Sequence, residues 1–271
     1  MVHRDFVRPA DAGWFKKARA AKRALLAEYA RAEAEQRDPD PKIFRPSLWG
    51  ELKEHLKAVF KRKCAYCEAH FDHVDFGDVE HYRPKKRLDE IDEQGNHELV
   101  DGHRGYFWLA YSPRNLLPSC KLCNGPGGKM NLFPLEDPTK RVFRPGGRLR
   151  EESPLLLNPY KHYPEEDLEF QDEGFVEAIT DRGAMSLEVY RLNRGPLVKK
   201  RKEAQEYRRL RLWDMFSKEN DSGMMDEIET IYAGEVEYSA SVRAEIEPFL
   251  NRIEKVADRL KLIPRRTRPR G

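Results

Sequence analysis

The sequence predicts an α+β protein in which a small mixed core is embedded in a mostly helical chain. Two observations predict this class: two Cys-x-x-Cys pairs bracket short strand-like segments, and apolar residues recur at helical spacing on both sides of them. The chain has 271 residues, 39% hydrophobic and 36% charged, so it can bury a core and is highly charged. We divide it into a helical region (residues 1–63), the cysteine-bracketed core (64–135), an acidic strand and loop segment (136–183) and a helical region with a basic tail (184–271).

Charge is distributed unevenly along the chain, although the net charge is only +3. Residues 1–63 and 191–271 are basic, and residues 151–190 are acidic. In residues 64–150 the positive and negative charges balance. Basic segments around a neutral core suit a phosphate-bearing partner, although solvated helix faces would give the same pattern. No apolar run approaches the roughly 18 residues of a membrane-spanning helix, and the N-terminus lacks the apolar segment of a secretory signal. We therefore expect a cytoplasmic protein.

The N-terminal region contains two predicted helices. The first covers residues 10–36, and its basic side chains would suit either a nucleic-acid backbone or a solvated face. Three prolines make residues 37–46 a linker or an extended arm. The second helix begins with Ser47 as its N-cap and delivers the chain into Cys64. The apolar face of this second helix consists of Leu48, Leu52, Leu56, Val59 and Phe60.

The part of the chain that follows the core changes from strand-like to helical character. Strand-like pieces cover residues 155–158, 168–170 and 175–179. The pattern becomes helical from residue 185, with helices over residues 196–217, 224–232 and 239–262. Residues 264–271 hold four arginines among proline and glycine, and we expect them to be disordered.

The four cysteines predict a structural zinc site. Two-residue knuckles place both thiolates of a pair on one metal at about 2.3 Å, and four thiolates close a tetrahedral shell that leaves no open position for chemistry. Two redox-active pairs are the alternative, but the presence of two such pairs together favours metal. The predicted zinc ligands are Cys64, Cys67, Cys120 and Cys123.

The residues between and beside the cysteines carry the candidate chemistry. Glu80 and His81 lie in a predicted strand over residues 79–83, and a second short strand begins at Asn115. Asn124 follows the last cysteine and opens a short helix. A histidine after a carboxylate is a weak pattern by itself, but the two asparagines in this arrangement make it more specific.

These segments resemble a known family. Asp78–Lys85, Asn115–Leu117 and Cys120–Asn124 with Lys129 are similar to the motif of HNH endonucleases, the ββα-metal fold with its zinc-binding cysteine pairs. The wider stretch from residue 64 to about 201 resembles the HNH proteins of Septu-type and retron-associated anti-phage systems. The resemblance implies a zinc-stapled ββα-metal nuclease core within the helical chain.

The resemblance also implies roles for individual residues. His81 matches the general base that activates water, and Asn115 matches the asparagine that steadies the loop and the histidine. Glu80 and Asn124 match the two positions that hold a divalent metal, and oxygen ligands there suit Mg²⁺ or Mn²⁺ better than a second zinc. Many HNH enzymes carry aspartate where this chain has Glu80, although the narrower family also has glutamate.

Four basic residues near this motif are candidates for contacts with phosphate, and solvent-exposed charge is an equally good explanation for them. They are Lys85, Lys86, Arg87 and Lys129. Trp108 and Tyr111 fit the protein core better than a platform for stacked bases. His73 and Asp75 lie near the motif in sequence, but no spacing supports a role for either.

The implied function is a metal-dependent endonuclease that cuts DNA in defence against phage. A zinc-stapled nucleic-acid-binding module without catalysis is one alternative, and a nuclease with the same site acting on RNA, such as tRNA, is another. The resembling systems pair the HNH protein with an ATPase, so the resemblance also implies a partner protein.

Overall fold

The computed structural model describes residues 1–71, 77–91 and 97–252. The structure is α+β, as the sequence predicts. The chain forms two compact units, of which one comprises Met1–Glu169 and Ala178–Leu192 and the other Phe170–Glu177 and Asn193–Gly271. Among the described helices, none has the length and apolar character needed to cross a bilayer.

The first unit opens with helix α1, Ala12–Ala34, which confirms the predicted helix over residues 10–36. Asp11 caps it, because its carboxylate accepts a hydrogen bond from the backbone N–H of Trp14 at 3.0 Å. The buried indole of Trp14 donates to the carbonyl of Leu48 at 2.6 Å, so α1 is tied to the segment that leads to the cysteines.

The second predicted helix is wrong in its extent. The structure has two short helices, α2 (Pro46–Gly50) and α3 (Lys53–Val59), and α2 follows Arg45 rather than an N-cap at Ser47. Pro46 is suited to the first turn of a helix, and Gly50 stands where α2 ends. The leucines keep their predicted face despite the break, since Leu48, Leu52 and Leu56 are all buried.

Strands β1 (Asp78–His81) and β4 (Leu116–Ser119) form an antiparallel pair, with Glu80 opposite Leu117 and His81 opposite Leu116. The strands were expected over residues 79–83 and 115–117. Pairing of β1 stops at His81, and Arg83 instead pairs with the side chain of Asn115. Asn124 was expected to open a short helix, but it instead ends the one-turn helix α4, Lys121–Asn124, which begins directly after Cys120. Glu80 and His81 lie on β1, and Asn115 immediately precedes β4.

A second short hairpin lies between β1 and β4 and consists of β2 (Asp89–Ile91) and β3 (His97–Leu99). Nearby, the chain makes a close approach at Gly105, which has a φ of +70°. A side chain at this position would place its Cβ 2.5 Å from the backbone nitrogen of Lys86, so only glycine fits without displacing the segment after β1.

A buried ion pair fixes the segment that follows His81. The guanidinium of Arg83 donates to the carboxylate of Glu152 at 2.8 Å, and both side chains are buried. The hydroxyl of Tyr106 and the backbone N–H of Val142 donate to the other carboxylate oxygen, each at 2.8 Å. Because every partner is supplied, the buried charges are compensated.

The strand predicted over residues 155–158 is wrong. The backbone N–H of Leu157 donates to the hydroxyl of Ser186 at 2.8 Å, so it is used outside any strand ladder. The other two strand predictions are confirmed by β5 (Leu168–Phe170) and β6 (Val176–Ala178). The helix predicted near residue 185 is α5, Asp181–Val189, which begins after Thr180.

The second unit is mainly helical. The predicted helices over residues 196–217 and 224–232 are confirmed by α6 (Gly195–Ser217) and α7 (Asp221–Tyr232). Helix α8 covers Ser239–Arg252, whereas the end of its predicted range and the tail at residues 264–271 lie outside the described residues. The helices bury a shared apolar core that includes Leu212, Met224, Ile228, Ile231, Val242, Ile246 and Leu250.

Candidate functional site

The four cysteines converge on one point in the first unit. Cys64 and Cys67 follow α3, and Cys120 and Cys123 lie at the start of and within α4. All four side chains are buried, and their sulfur atoms lie within 4.8 Å of one another. The Sγ atoms of Cys67 and Cys120 are 3.8 Å apart. Four sulfurs at about 2.3 Å from a tetrahedral zinc would be about 3.8 Å apart, so the cluster could hold a metal ion and is consistent with zinc.

The four thiols also influence one another's pKa values. Burial raises the pKa of Cys64 well above its usual value, and the neighbouring thiols raise the pKa of Cys123. The pKa of Cys120 is lowered, because Cys123 and Cys64 donate hydrogen bonds to its sulfur. A bound cation would favour the thiolate form of all four cysteines.

His81 is oriented by a backbone carbonyl. It stands at the end of β1 and is 3% exposed. Its Nε2 lies 3.0 Å from the carbonyl oxygen of Ala110, which can only accept, so Nε2 carries a proton and donates it. In the neutral ring this leaves the lone pair on Nδ1. Burial first, and then the charge of Lys85, hold the pKa of His81 well below its usual value, which favours that neutral form.

Two side chains cover the His81 ring. The ammonium of Lys85 lies 3.4 Å from Nδ1, where it can donate to the lone pair. The indole of Trp49 meets the imidazole edge-on at 5.0 Å, and Lys85 also lies over the face of Trp49, at 5.1 Å. Sequence reasoning missed Trp49, because it lies on α2, far from His81 along the chain, and no local pattern joins the two.

Glu80 is engaged in a buried ion pair. Its carboxylate accepts from the ammonium of Lys129 at 2.5 Å, and the same ammonium donates to the carbonyl of His81 at 3.1 Å. Burial raises the pKa of Glu80, and the nearby Lys129 opposes that rise. Lys129 has 0% exposure, so in this structure it is a buried counter-ion of Glu80 rather than a surface cation.

Asn124 faces a carboxylate that the sequence analysis did not assign. Its Nδ2 lies 3.4 Å from Oδ2 of Asp78, and both side chains are partly exposed. Asp78 and Glu80 are two residues apart on β1, so their side chains point to the same face of the strand. A flip of the Asn124 side-chain amide exchanges its oxygen and its nitrogen. Asn124 and Asp78 can therefore present two oxygens to a cation. The i, i+2 spacing of the two acids is the sequence signal that could have found Asp78.

Asn115 closes the end of β1. Its Oδ1 accepts from the backbone N–H of Arg83 at 2.8 Å, and its Nδ2 donates to the carbonyl of the same residue at 3.0 Å. Its own backbone carbonyl accepts from the N–H of Tyr82 at 2.9 Å. These bonds hold the chain immediately after His81 in one conformation.

The remaining sequence candidates are scattered around this core. Lys86 is exposed and its ammonium lies 5.2 Å above the ring of Phe44, while Arg87 pairs with Asp89 at 2.8 Å. The expectation of a core role for Trp108 and Tyr111 is confirmed, since both are buried. His73 and Asp75 lie outside the described residues.

The fold and the site together define an α+β protein in which a four-cysteine centre and a buried histidine lie at opposite ends of the β1–β4 pair. Sequence comparison associates the chain with Septu proteins. It is 40% identical over 154 residues to the Septu protein PtuB of Bacillus mycoides (strain KBAB4), covering 55% of this chain and 49% of that protein. It is 36% identical over 85 residues to the Septu protein PtuB of Bacillus thuringiensis, covering 30% of this chain and 26% of that protein.

A second type of Septu protein is also similar. The Septu protein PtuA of Bacillus mycoides (strain KBAB4) is 29% identical over 153 residues, covering 55% of this chain and 20% of that protein. The chain thus spans about half, or less, of the length of the curated relatives that it matches. No protein-family model matches the chain. No solved structure matches it either.

The cysteine cluster leads to a prediction about metal content. We expect the purified chain to carry about one zinc ion, and Cys123→Ser to reduce this to near zero with a lower melting temperature, because a structural site needs its full shell. Metal analysis together with thermal unfolding would measure both effects. Leu122→Ser is a matched control in the same knuckle, since Leu122 is exposed and its loss should leave zinc bound. A wild-type protein without zinc would contradict the prediction.

Proposed function

We propose that this chain is a divalent-metal-dependent endonuclease of the HNH type, which hydrolyses phosphodiester bonds of nucleic acid, with DNA as the substrate. The observation that carries this proposal is the orientation of His81: Nε2 is committed to the carbonyl of Ala110, and the Nδ1 lone pair is left as the acceptor for a proton. Burial favours the neutral ring by lowering the pKa of His81. A neutral imidazole held in one tautomer is what a general base for water activation requires.

Lys85 would make the activity of His81 as a base depend on substrate binding. Its ammonium lies against Nδ1, so the lone pair can accept a proton from water only after Lys85 moves. A phosphate that approached the site would attract this cation, because a hydrogen bond between opposite charges is stronger than one to a neutral ring. In this mechanism, substrate binding would free the base that acts on it.

The metal would be held on the face of β1 to which Asp78 and Glu80 point. When bound, Mg²⁺ or Mn²⁺ would stabilise the charge that develops on the phosphate and on the leaving oxygen. Asn124 and Asp78 offer two hard oxygen donors across a short distance, and water and phosphate would complete the shell. Glu80, the carboxylate predicted from the sequence, could contribute once Lys129 releases it.

His81→Ala tests the catalytic assignment. We expect it to slow cleavage of plasmid DNA in Mg²⁺ or Mn²⁺ at least about 100-fold, the lower range for removal of a general base, while zinc content and melting temperature stay close to those of the wild type. His97→Ala is the matched control, because His97 is an exposed histidine on β3. Equal cleavage by His81→Ala and wild type would show that His81 is not the base.

The two carboxylates of β1 can be told apart by their metal dependence. We expect Asp78→Asn to raise the Mn²⁺ concentration needed for half-maximal cleavage at least about tenfold, the size of effect expected from a perturbed metal site. Glu80→Gln should instead lower stability, by about 3 kcal/mol, because it leaves the buried Lys129 without its counter-charge. Titrations of Mn²⁺ and denaturant on both variants measure these effects. A large shift in Mn²⁺ requirement for Glu80→Gln alone would make Glu80 the ligand.

The cover over His81 supports a second candidate function. Because Trp49 and Lys85 close the ring from solvent, the same site would also suit a zinc-stapled nucleic-acid-binding module without catalysis. The nuclease assay separates the two, since a pure binder retains nucleic acid and does not cut it. Running plasmid DNA and total RNA side by side also tests an RNA substrate, such as tRNA.

We further propose that the chain acts in anti-phage defence together with a partner protein. The support is the similarity of the chain to PtuB and to PtuA, which are both named as Septu proteins. The partner implied by the sequence resemblance is an ATPase that would gate the nuclease. We expect the tagged chain to co-purify with a second protein from its native host, at a fixed ratio in gel filtration. Recovery of the chain alone under gentle lysis would contradict this.

A further inference from the structure

The first unit contains a cavity of about 720 Å³ beside α1, which the proposed chemistry does not use. We call it the α1 groove. Its size lies within the range of small-molecule sites, and it combines aromatic with cationic side chains. The lining residues that matter here are Leu26, Tyr29, Arg104, Phe107, Phe143 and Arg144.

The aromatic side chains of the α1 groove offer flat apolar surface. Tyr29 and Phe107 are stacked with their ring centroids 3.6 Å apart and their planes 14° apart, and both are buried. Phe143 differs from them, because 45% of its surface is exposed. Its ring contacts that of His103 at a centroid distance of 5.0 Å, and the exposed surface of the ring beside the cavity could stack on a planar ligand.

Tyr29 adds a polar group to this apolar wall. Burial raises the pKa of Tyr29 to about 12, so the phenol stays neutral and keeps its proton. Within residues 1–71, 77–91 and 97–252, its hydroxyl makes no hydrogen bond. This hydroxyl is therefore a proton donor that an acceptor at the edge of a ligand could meet.

Cations flank the α1 groove and continue along α1. Arg144 lines the groove, is mostly exposed and pairs with Glu33 at 2.9 Å. Arg104 lies close enough to Tyr29 for its charge to oppose the rise in the tyrosine pKa. Arg19 and Arg23 precede Leu26 by helical spacing on the same face of α1, and both are exposed. Among the described residues, neither of these two arginines forms an ion pair.

A row of rings joins the α1 groove to the candidate catalytic histidine. From His81 the centroid distances are 5.0 Å to Trp49, a further 6.5 Å to Phe44 and a further 6.4 Å to Tyr29. Lys86 lies over Phe44 along this row. The groove is therefore only a few nucleotide lengths from His81, and the path between them carries positive charge.

We propose that the α1 groove binds an unstacked base of a single-stranded nucleic acid, with the flanking phosphates on Arg104 and Arg144. A base has the planar face that Phe143 can stack on and the edge acceptors that Tyr29 can reach, and its phosphates match the cations. An apolar peptide carries no charge that would match these cations. The proposal rests on the proposed function in taking nucleic acid as the substrate, and it names a strand with unpaired bases as the form that is bound.

Binding of a single-stranded oligonucleotide tests the stacking contact. In the whole chain of 271 residues with His81→Ala, which we expect to prevent cutting, fluorescence anisotropy of a labelled dT oligonucleotide would give the dissociation constant. We expect Phe143→Ala to weaken binding at least about fivefold, the lower end for loss of one base–aromatic stack, and to leave binding of a blunt duplex within about twofold. Phe175→Ala is the matched control, because Phe175 is 51% exposed and lies in the second unit. It should change neither constant.

The phosphate contact has its own signature. Arg144→Gln should reduce the salt dependence of oligonucleotide binding by about one unit of slope, because one fewer phosphate is neutralised. Arg148→Gln is the matched control, since Arg148 is a similarly exposed arginine that pairs with Glu151 outside the groove. The same slope for both variants would contradict the assignment of Arg144.

The outcomes separate this proposal from the nuclease function. If the wild type does not cut nucleic acid but Phe143→Ala loses single-strand binding, the groove proposal is supported and the nuclease proposal is refuted. Cleavage by wild type with unchanged binding in Phe143→Ala would refute the groove alone. Three results would overturn the groove proposal. The chain could fail to bind nucleic acid at all, or Phe143→Ala could weaken binding of duplex and single strand equally. A protein ligand could also bind at Phe143 without being displaced by nucleic acid.

Discussion

The antiparallel pairing of β1 with β4 is the interaction on which the site depends. The cysteine cluster lies at one end of this pair: Ala65, within the first knuckle, donates its backbone N–H to the carbonyl of Pro118 on β4 at 2.9 Å. The second knuckle begins as soon as β4 ends. Asn115 closes the other end through Arg83. Glu80 and His81 lie on β1, and Asn115 and Asn124 lie just before and just after β4, so the pairing of the two strands sets the positions of all four.

Buried charge is the second constraint on this region. Glu80 with Lys129 and Arg83 with Glu152 place two ion pairs inside the first unit, directly beside His81 in sequence. Such pairs add little net stability, because desolvation offsets their attraction, but each is costly to break. Their effect is therefore to specify one arrangement of the segments around β1. In that arrangement Asp78 and Asn124 face each other and are both partly exposed.

Local patterns were sufficient to predict much of the fold. The apolar stripe of α1 and the continuous helical character of α6 reflect interactions within a few residues, and both helices lie where they were expected. The helix expected after Ser47 was wrong in extent because a single leucine face continues across the break near Gly50. The predicted burial of the leucines was correct in this segment. The path of the backbone depended on Gly50, at which α2 ends.

The candidate site divides in the same way. The sequence by itself determined that four cysteines in two knuckles could bind one metal, because the spacing within each knuckle is a local property. Only the tertiary structure decided that Lys129 lies against Glu80, that Asp78 faces Asn124 and that Trp49 covers His81. These contacts join residues far apart in the chain, and burial of a charge or a ring depends on which distant side chains surround it.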